Sequence, residues 1–509
     1  MLTFKIGSLQ MKQRVLVAAI TAAVLAPVAQ ASGYKLNEQS AAGAGTAYAG
    51  RAAVVEDASV VFYNPAGMVK LERAEFTVGA SYIDASGSFS PTSYTNGDGQ
   101  TYIAEDLGPY SDGGDFVSAA TIPYGYFAMP INDKFAAGFG IFVPFGTNTD
   151  YEDDFVGGAF ADQTQLTSIE FQPAVAYRFN DQLSFGFGLD VAYMKGLISK
   201  QSDTIAYSDG LQSLNGGIGP IDVSGEAPRP FSEYQGFENH YEVEGDDWAF
   251  GYNLSMMWDI NSDITLGVTY RSEMEFELEG DSKFAQKENV AVLTQSPADI
   301  PGTPVGAGDY IIANVGDVPD QASEVPLTTP QSLTVSYAHQ VTNKIQLLAG
   351  VTWTQWSVFE DFDIIATEPG MMEELAGLGG SYIGHIEENW SDTTAVAIGA
   401  NYQLNDDWLL RVGYANDQSP VSNTYRTARV PDNDRQWLST GFNYAINQDL
   451  DVDFAFSYMF FEDTEINEVN RGLDGEQKRM ANGQVDPSNI QGDYSLDAVA
   501  YSFQVNYKL

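Results

Sequence analysis

Residues 169–193 read IEFQPAVAYRFNDQLSFGFGLDVAY. Ile169, Phe171, Val175, Tyr177 and Phe179 fall on alternate positions, Asn180-Asp181-Gln182 interrupts, and Leu183, Phe185, Phe187, Leu189, Val191 and Tyr193 take the alternation up again. A period of two puts one set of side chains on one face of a sheet, and an Asn/Asp break between two such runs is the signal of a β-hairpin.

The same unit recurs in both directions. Trp248, Phe250, Tyr252, Leu254, Met256, Trp258 and Ile260 turn at Asn261-Ser262-Asp263 into Ile264, Leu266, Val268 and Tyr270. Leu333, Val335 and Tyr337 turn at Asn343-Lys344 into a run from Ile345 to Trp353; Val396–Leu404 turns at Asp406-Asp407 into Trp408–Tyr414; and Leu438–Ile446 turns at Gln448-Asp449 into Leu450–Phe460. With Phe76–Tyr82, a Tyr124–Ile131 run turning at Asn132-Asp133 into Phe135–Val143, and a terminal Val499–Leu509, the runs number fourteen.

Long polar stretches fall near 84–118, 144–165, 194–246, 276–330, 357–391, 416–434 and 463–495, alternating with the short turns. An even number of roughly ten-residue strands, short turns at one end and long loops at the other is the pattern of an outer-membrane barrel. The expected fold is all-β: a 14-stranded antiparallel transmembrane β-barrel, with both termini on the periplasmic side. Tyr193, Trp248, Trp258, Tyr270, Trp353, Trp408 and Tyr414, near strand ends, suit the two headgroup levels. A secreted soluble sheet of this size would instead defend its edges with Lys or Pro and has no use for so many alternating aromatics.

The N-terminus agrees with that compartment. Lys12 and Arg14 precede an apolar stretch from Val15 to Ala26, and Ala29-Gln30-Ala31 has the small-x-small form of a cleavage site, so residues 1–31 read as a signal peptide and Ser32 as the mature start. Met11 is a candidate true start. The apolar run is too short for a membrane helix and Pro27 interrupts it.

Composition narrows the function. With 24 Lys+Arg against 69 Asp+Glu the net charge is −45, which repels phosphate backbones, so no nucleic-acid partner is expected. There is no cysteine, and His240, His339 and His385 lack metal-ligand spacing. No G-x-S-x-G, P-loop or H-E-x-x-H is present; neither cofactor nor metal is expected, and the chain does not read as an enzyme. Carboxylate runs such as Glu152-Asp153-Asp154 and Asp246-Asp247 read as solvated loop surface, or as sites for divalent cations bridging to lipopolysaccharide.

Residues 32–73, ahead of the first strand, are rich in small residues and lack sustained alternation, yet Val54, Val55, Val60, Val61 and Phe62 need burial. A barrel this wide has room inside for such a segment. The stretch SGYKLNEQSAAGAGTAYAGRAAVVEDASVVFYNPAGM, with its Asn64-Pro65-Ala66 triplet, resembles the hatch of the outer-membrane long-chain fatty acid transporter family. TPQSLTVSYA, TWTQWSVF, LLRVGYANDQSPV and VPDNDRQWLSTGFNYA extend the resemblance over the mature chain.

The resemblance implies a hatch over 32–73 plugging a barrel over 74–509, and passive uptake of long-chain fatty acids or, as in relatives, aromatic hydrocarbons. It implies capture in an outer groove within 194–246 and 276–330, transfer to a deeper pocket reached by Tyr34, and exit through a gap in the wall beside a kinked third strand. Lys200 matches a basic position near that pocket. A second basic residue late in the fifth outer loop has no counterpart, because GHIEENWSD (384–392) is acidic, so both ligand classes stay open. A monomer among outer-membrane lipid and lipopolysaccharide is expected, with a general porin or an outer-membrane enzyme as alternatives.

Physical reasoning points to the same wall region. Proline removes a ladder hydrogen bond, and a closed barrel has no spare edge to tolerate the loss. Pro123 and Pro130 fall in the second assigned strand, Pro144 ends the third with Gly146 just beyond, and Pro173 lies in the fourth; the other assigned spans have none. These positions are the wall-opening candidates.

Overall fold

The computed structural model describes residues 33–97, 99–108, 110–201, 240–284, 289–293, 310–314, 319–370, 372, 376, 378–479 and 483–509. The signal-peptide reading of residues 1–31 lies outside them, as does much of the expected groove.

The wall strands follow the alternating runs: β1 (Glu75–Thr95), β2 (Ala120–Pro130), β3 (Phe135–Phe142, resuming at Gly146–Asp150), β4 (Gln163–Arg178), β5 (Leu183–Gln201), β6 (His240–Asp259) and β7 (Ile264–Arg271, resuming at Met274–Phe284). β8 (Gln321–Thr329, resuming at Ser332–Thr342), β9 (Ile345–Thr354), β10 (Thr393–Gln403), β11 (Trp408–Asp417), β12 (Arg435–Ala445), β13 (Leu450–Phe461) and β14 (Asn489–Lys508) complete them. Each pairs antiparallel with its sequence neighbours, and β14 returns to β1 from Glu75↔Lys508 to Thr95↔Asn489, which closes the ring.

The turns form because a side chain caps them. Asn132, Asn180, Asn261 and Asn405 each accept backbone N–H groups two and three residues on. Thr342 does the same ahead of Asn343-Lys344, and Asn447 accepts from Asp449. In the last three turns the capping residue therefore comes one residue before the pair singled out in the sequence.

Outward positions are apolar and exposed, such as Val78 at 59%, Phe250 at 68% and Phe503 at 53%. Inward positions are polar and buried: Thr77, Ser81, Asn253, Gln504 and Asn506. The wall strands run further outward than the alternation suggested. β1 extends to Thr95, β5 to Gln201, β6 begins at His240 and β14 at Asn489, all inside stretches read as loops. Beyond the lipid no outward face must be apolar, so the period fades while backbone pairing continues. That extension corrects the proline inventory. Pro91 lies in β1 at a register shift and Pro326 in β8 opposite Glu277, so prolines are not confined to strands two to four.

Residues 33–71 fill the ring. Their regular pieces are two short helices, Ala41–Ala44 and Val60–Tyr63, and a 3₁₀ turn, Pro65–Lys70. Wall residues all around grip them: Gln504 Oε1 accepts from Ser40 and Ala41, Ser336 from Ala52, and Arg411 bonds Glu56 at 3.0 Å. Two wall glycines allow the closest approach. A Cβ on Gly267 would stand 1.8 Å from the Ala52 carbonyl oxygen, and one on Gly413 2.0 Å from the Thr46 carbonyl carbon.

Candidate functional site

The wall is interrupted between β2 and β3. Their pairing runs from Pro130↔Ala136 to Gly125↔Ile141 and stops, although β2 continues to Ala120, fully paired on its other side with β1. β3 bulges there. Phe142 faces Glu170 of β4 but Gly146 faces Thr167, so one residue more is spent on β3 than on β4. Ser168 holds the bulge: its hydroxyl accepts from Phe145 N–H at 3.0 Å and donates to the Phe145 carbonyl at 2.8 Å.

The edge that β3 turns away from β2 is taken by the N-terminal segment. Leu36 N–H donates to the Pro144 carbonyl and Gly146 N–H to the Tyr34 carbonyl, both at 2.8 Å, and Lys35 bridges Phe145. Tyr34 is 3% exposed. Its ring meets Phe145, Trp356, Phe359 and Trp390 at centroid distances of 5.9, 4.7, 5.6 and 5.6 Å, and its hydroxyl donates to the Thr328 carbonyl at 3.1 Å.

The sequence-derived candidates therefore separate. Pro144 and Gly146 stand at the bulge and Pro123 on the unpaired stretch of β2. Pro173 sits where the β4–β5 pairing skips from Phe171↔Val191 to Ala174↔Gly188. Pro130 is paired with Ala136 beside a turn, away from the interruption. Asn64, Pro65 and Ala66 dock the 3₁₀ turn on the wall: the Asn64 amide donates to Met256 O at 3.1 Å, and Ala66 N–H to Ser255 Oγ at 3.0 Å. Pro65 begins the turn, where its missing N–H costs nothing.

Two cavities lie outward of this break. The outer one has a volume of about 280 Å³ and is lined by Lys200, Tyr241, Ile364, Ile383 and Arg471 among others. Lys200 Nζ is 6.0 Å from the Tyr241 ring centroid. The inner one is a narrow apolar slot of about 40 Å³, walled by Leu166, Leu278, Val325 and Leu327, with Tyr34 at one side and Thr147, next to the bulge, at another. Ile198 and Arg429 line both. Burial pushes the Glu388 carboxyl, at the inner slot, up to about 8, partly offset by donors Trp390 Nε1 and Thr427 Oγ1 at 2.9 and 3.1 Å.

A barrel with an apolar exterior, a filled polar lumen and an apolar slot that reaches Tyr34 and Thr147 beside the bulge suits a carrier of hydrophobic molecules. The model of a single family, described as outer membrane protein transport protein (OMPP1/FadL/TodX), matches residues 22–509. The chain belongs to this family. Members of the OMPP1/FadL/TodX family are transporters and channels rather than enzymes, and the present member is accordingly an outer-membrane transporter of hydrophobic compounds. The long-chain fatty acid transport protein of Escherichia coli O6:H1 is 28% identical over 450 residues, 88% of this chain and 92% of its own. A Pseudomonas aeruginosa FadL homologue superposes with a TM-score of 0.72 at 23% identity, covering 94% of this chain and 99% of its own. The Ralstonia pickettii toluene transporter TbuX gives 0.58 at 16%, covering 93% and 99%.

Sequence reading missed Trp356, Phe359, Glu388, Trp390 and Arg429. None lies on an alternating run. GHIEENWSD held two of them and was read only for its lack of a cation; Arg429 directly precedes the recognised VPDNDR stretch.

Proposed function

We propose that the compounds carried are long-chain fatty acids, moving passively from the outer cavity through the inner slot and sideways out between β2 and β3. The observation that carries this reading is the unpaired edge of β2 over Ala120–Tyr124, facing a β3 segment paired with the Tyr34 segment instead. A fatty acid tail is larger than the slot, so its entry displaces Tyr34 and its neighbours, and this motion is coupled to the wall because Tyr34 and Leu36 bond β3 on either side of Phe145. Burial favours each methylene by about 0.8 kcal/mol, and release sideways lets the tail pass into hydrocarbon without crossing water.

On this reading residues 1–31 are a cleaved signal peptide, 32–73 the hatch and 74–509 the barrel. The protein works as a monomer, since one ring encloses the whole path, with its acidic outer loops among lipopolysaccharide. Lys200, on the outer cavity wall, meets the carboxylate on arrival. Aromatic hydrocarbon uptake is the second reading, favoured by the fold shared with a toluene transporter. The test is uptake by cells lacking their own transporter and expressing this chain. Oleate entering faster than in the empty strain, with toluene unaffected, is expected; toluene rescue alone selects the second reading, and rescue with neither overturns both. Deleting Pro144, which removes the extra residue of the bulge, is expected to lower oleate uptake several-fold while the barrel still folds.

A further inference from the structure

Arg429 occupies the neck between the two cavities and is 5% exposed. Its Nη1 donates to the Ser199 carbonyl at 2.8 Å and reaches Thr164 Oγ1 at 3.5 Å. Its Nε is buried with no acceptor, and no carboxylate among the described residues lies within ion-pair distance of it. Arg271, Arg411 and Arg435 each hold a carboxylate at 2.5–3.0 Å. Arg51 and Arg426 also lack an ion pair, but Arg51 spends two guanidinium nitrogens on Asn37 and Thr352, and Arg426 spends Nε and Nη1 on the Asp432 and Glu465 carbonyls and Asn423; of these enclosed arginines only Arg429 lines both cavities.

The acids near Arg429 are engaged elsewhere. Glu388 accepts from Trp390 and Thr427, Glu468 Oε2 accepts Ala428 N–H at 2.8 Å, and Asp162 holds His240 and Ser199. Burial pushes Glu468 up to about 7 and Glu388 up to about 8, so neither is fully ionised at neutral pH. A buried guanidinium without a counter-ion is costly, and that cost is relieved when a ligand brings the missing anion.

We propose that Arg429 is the head-group site of this transporter: its unoccupied Nε edge takes the carboxylate of the ligand at the neck, while the tail occupies the apolar slot towards Tyr34. The guanidinium fork matches a carboxylate in two parallel hydrogen bonds, which a neutral hydrocarbon cannot supply. The inference rests on the reading that the two cavities lie on the ligand's path. It selects a long-chain carboxylic acid over an aromatic hydrocarbon, and it assigns to the sixth outer loop the cation absent from the fifth.

The test measures binding of oleate and of its uncharged methyl ester to the full-length protein in detergent micelles, for the wild type and for Arg429→Met, Arg429→Lys and Lys200→Met. Loss of a charge-assisted pair is expected to weaken oleate about 10- to 100-fold in Arg429→Met, so that the preference for oleate over its ester collapses. Arg429→Lys keeps the charge and loses the fork, and an intermediate preference is expected; this variant also decides the matter should the Met variant fail to fold. Lys200→Met is expected to lower the preference less than either. An unchanged preference in both Arg429 variants, or a larger loss at Lys200, overturns the head-group assignment while leaving the path intact. Wild type that binds neither compound overturns the path itself.

Discussion

Of the carboxyls that line the two cavities, Glu388 is the one burial raises furthest. It is 2% exposed, and burial raises its carboxyl from an ordinary 4.5 to about 8. Between those values the folded chain holds a proton that the unfolded chain has released. Its contribution to stability is therefore complete below about pH 4.5, declines as pH rises, and is gone above about 8, at a slope approaching ~1.4 kcal/mol per pH unit. Glu388→Gln removes the titrating group and keeps the hydrogen-bonding shape. Protease protection of loop 378–392, compared at pH 5.5 and 8.5, is expected to fall with pH in the wild type and to stay nearly level in the variant. Equal pH dependence in both would refute the assignment. The residue also shows where sequence reading ends: Trp390 stands only two positions on, but Thr427 and the loop carrying Arg429 come from about forty residues away, and no hydropathy period brings them to Glu388.

Strands were legible as elements because each alternates between lipid and lumen, and the Asn-capped turns fix their register. Their outward extensions were not, since pairing above the membrane leaves no mark on hydropathy. The bulge in β3 was half legible: Pro144 signalled a defect, but Ser168, which stabilises it, and the docking of Tyr34 on its free edge come from tertiary structure. The N-terminal segment shows the same division. Its need for burial was visible in Val60 and Val61, whereas its anchorage rests on long-range ion pairs. Arg411 of β11 binds Glu56 at 3.0 Å and Asp453 of β13 at 2.6 Å, and it is 3% exposed. Arg411→Met leaves the buried Asp453 and the partly buried Glu56 without their cation, although Gln504, Asn506 and Asn401 still donate to them, so the cost is expected to be about 3 kcal/mol, the low end for a broken buried pair. A clearly lower thermal unfolding midpoint in micelles and faster proteolysis of residues 33–71 are the expected results. A midpoint within a degree of wild type would mean that other contacts hold the segment.

At the scale of the molecule, function follows from what stands between the two ends of the ring. Fourteen strands enclose a lumen that side chains alone do not fill, and here residues 33–71 fill it, pinned by Arg411 on one flank and by Asn64 and Ala66 on another. Behind the segment the wall is polar, lined by Glu170, Asp190, Arg271, Asp453 and Gln504, which suits water better than a fatty tail. On the proposed reading the apolar path stays outward of residues 33–71 and leaves sideways, and the lumen itself carries nothing. Wild type in a planar bilayer is expected to show no sustained single-channel steps. Deleting residues 33–71 removes the filling without touching a wall strand, so regular conductance steps are expected. The pore is expected to favour cations: the deleted segment takes away Glu38, Glu56 and Asp57 together with Lys35, Arg51 and Lys70, which cancel, and on the wall Glu170, Asp190, Asp417 and Asp453 stand against Arg271, Arg411 and Arg435. Wild-type conductance equal to that of the deletion would mean that the segment does not seal the ring. Anion selectivity in the deletion variant would mean that its arginines, and not its acids, set the potential of the lumen.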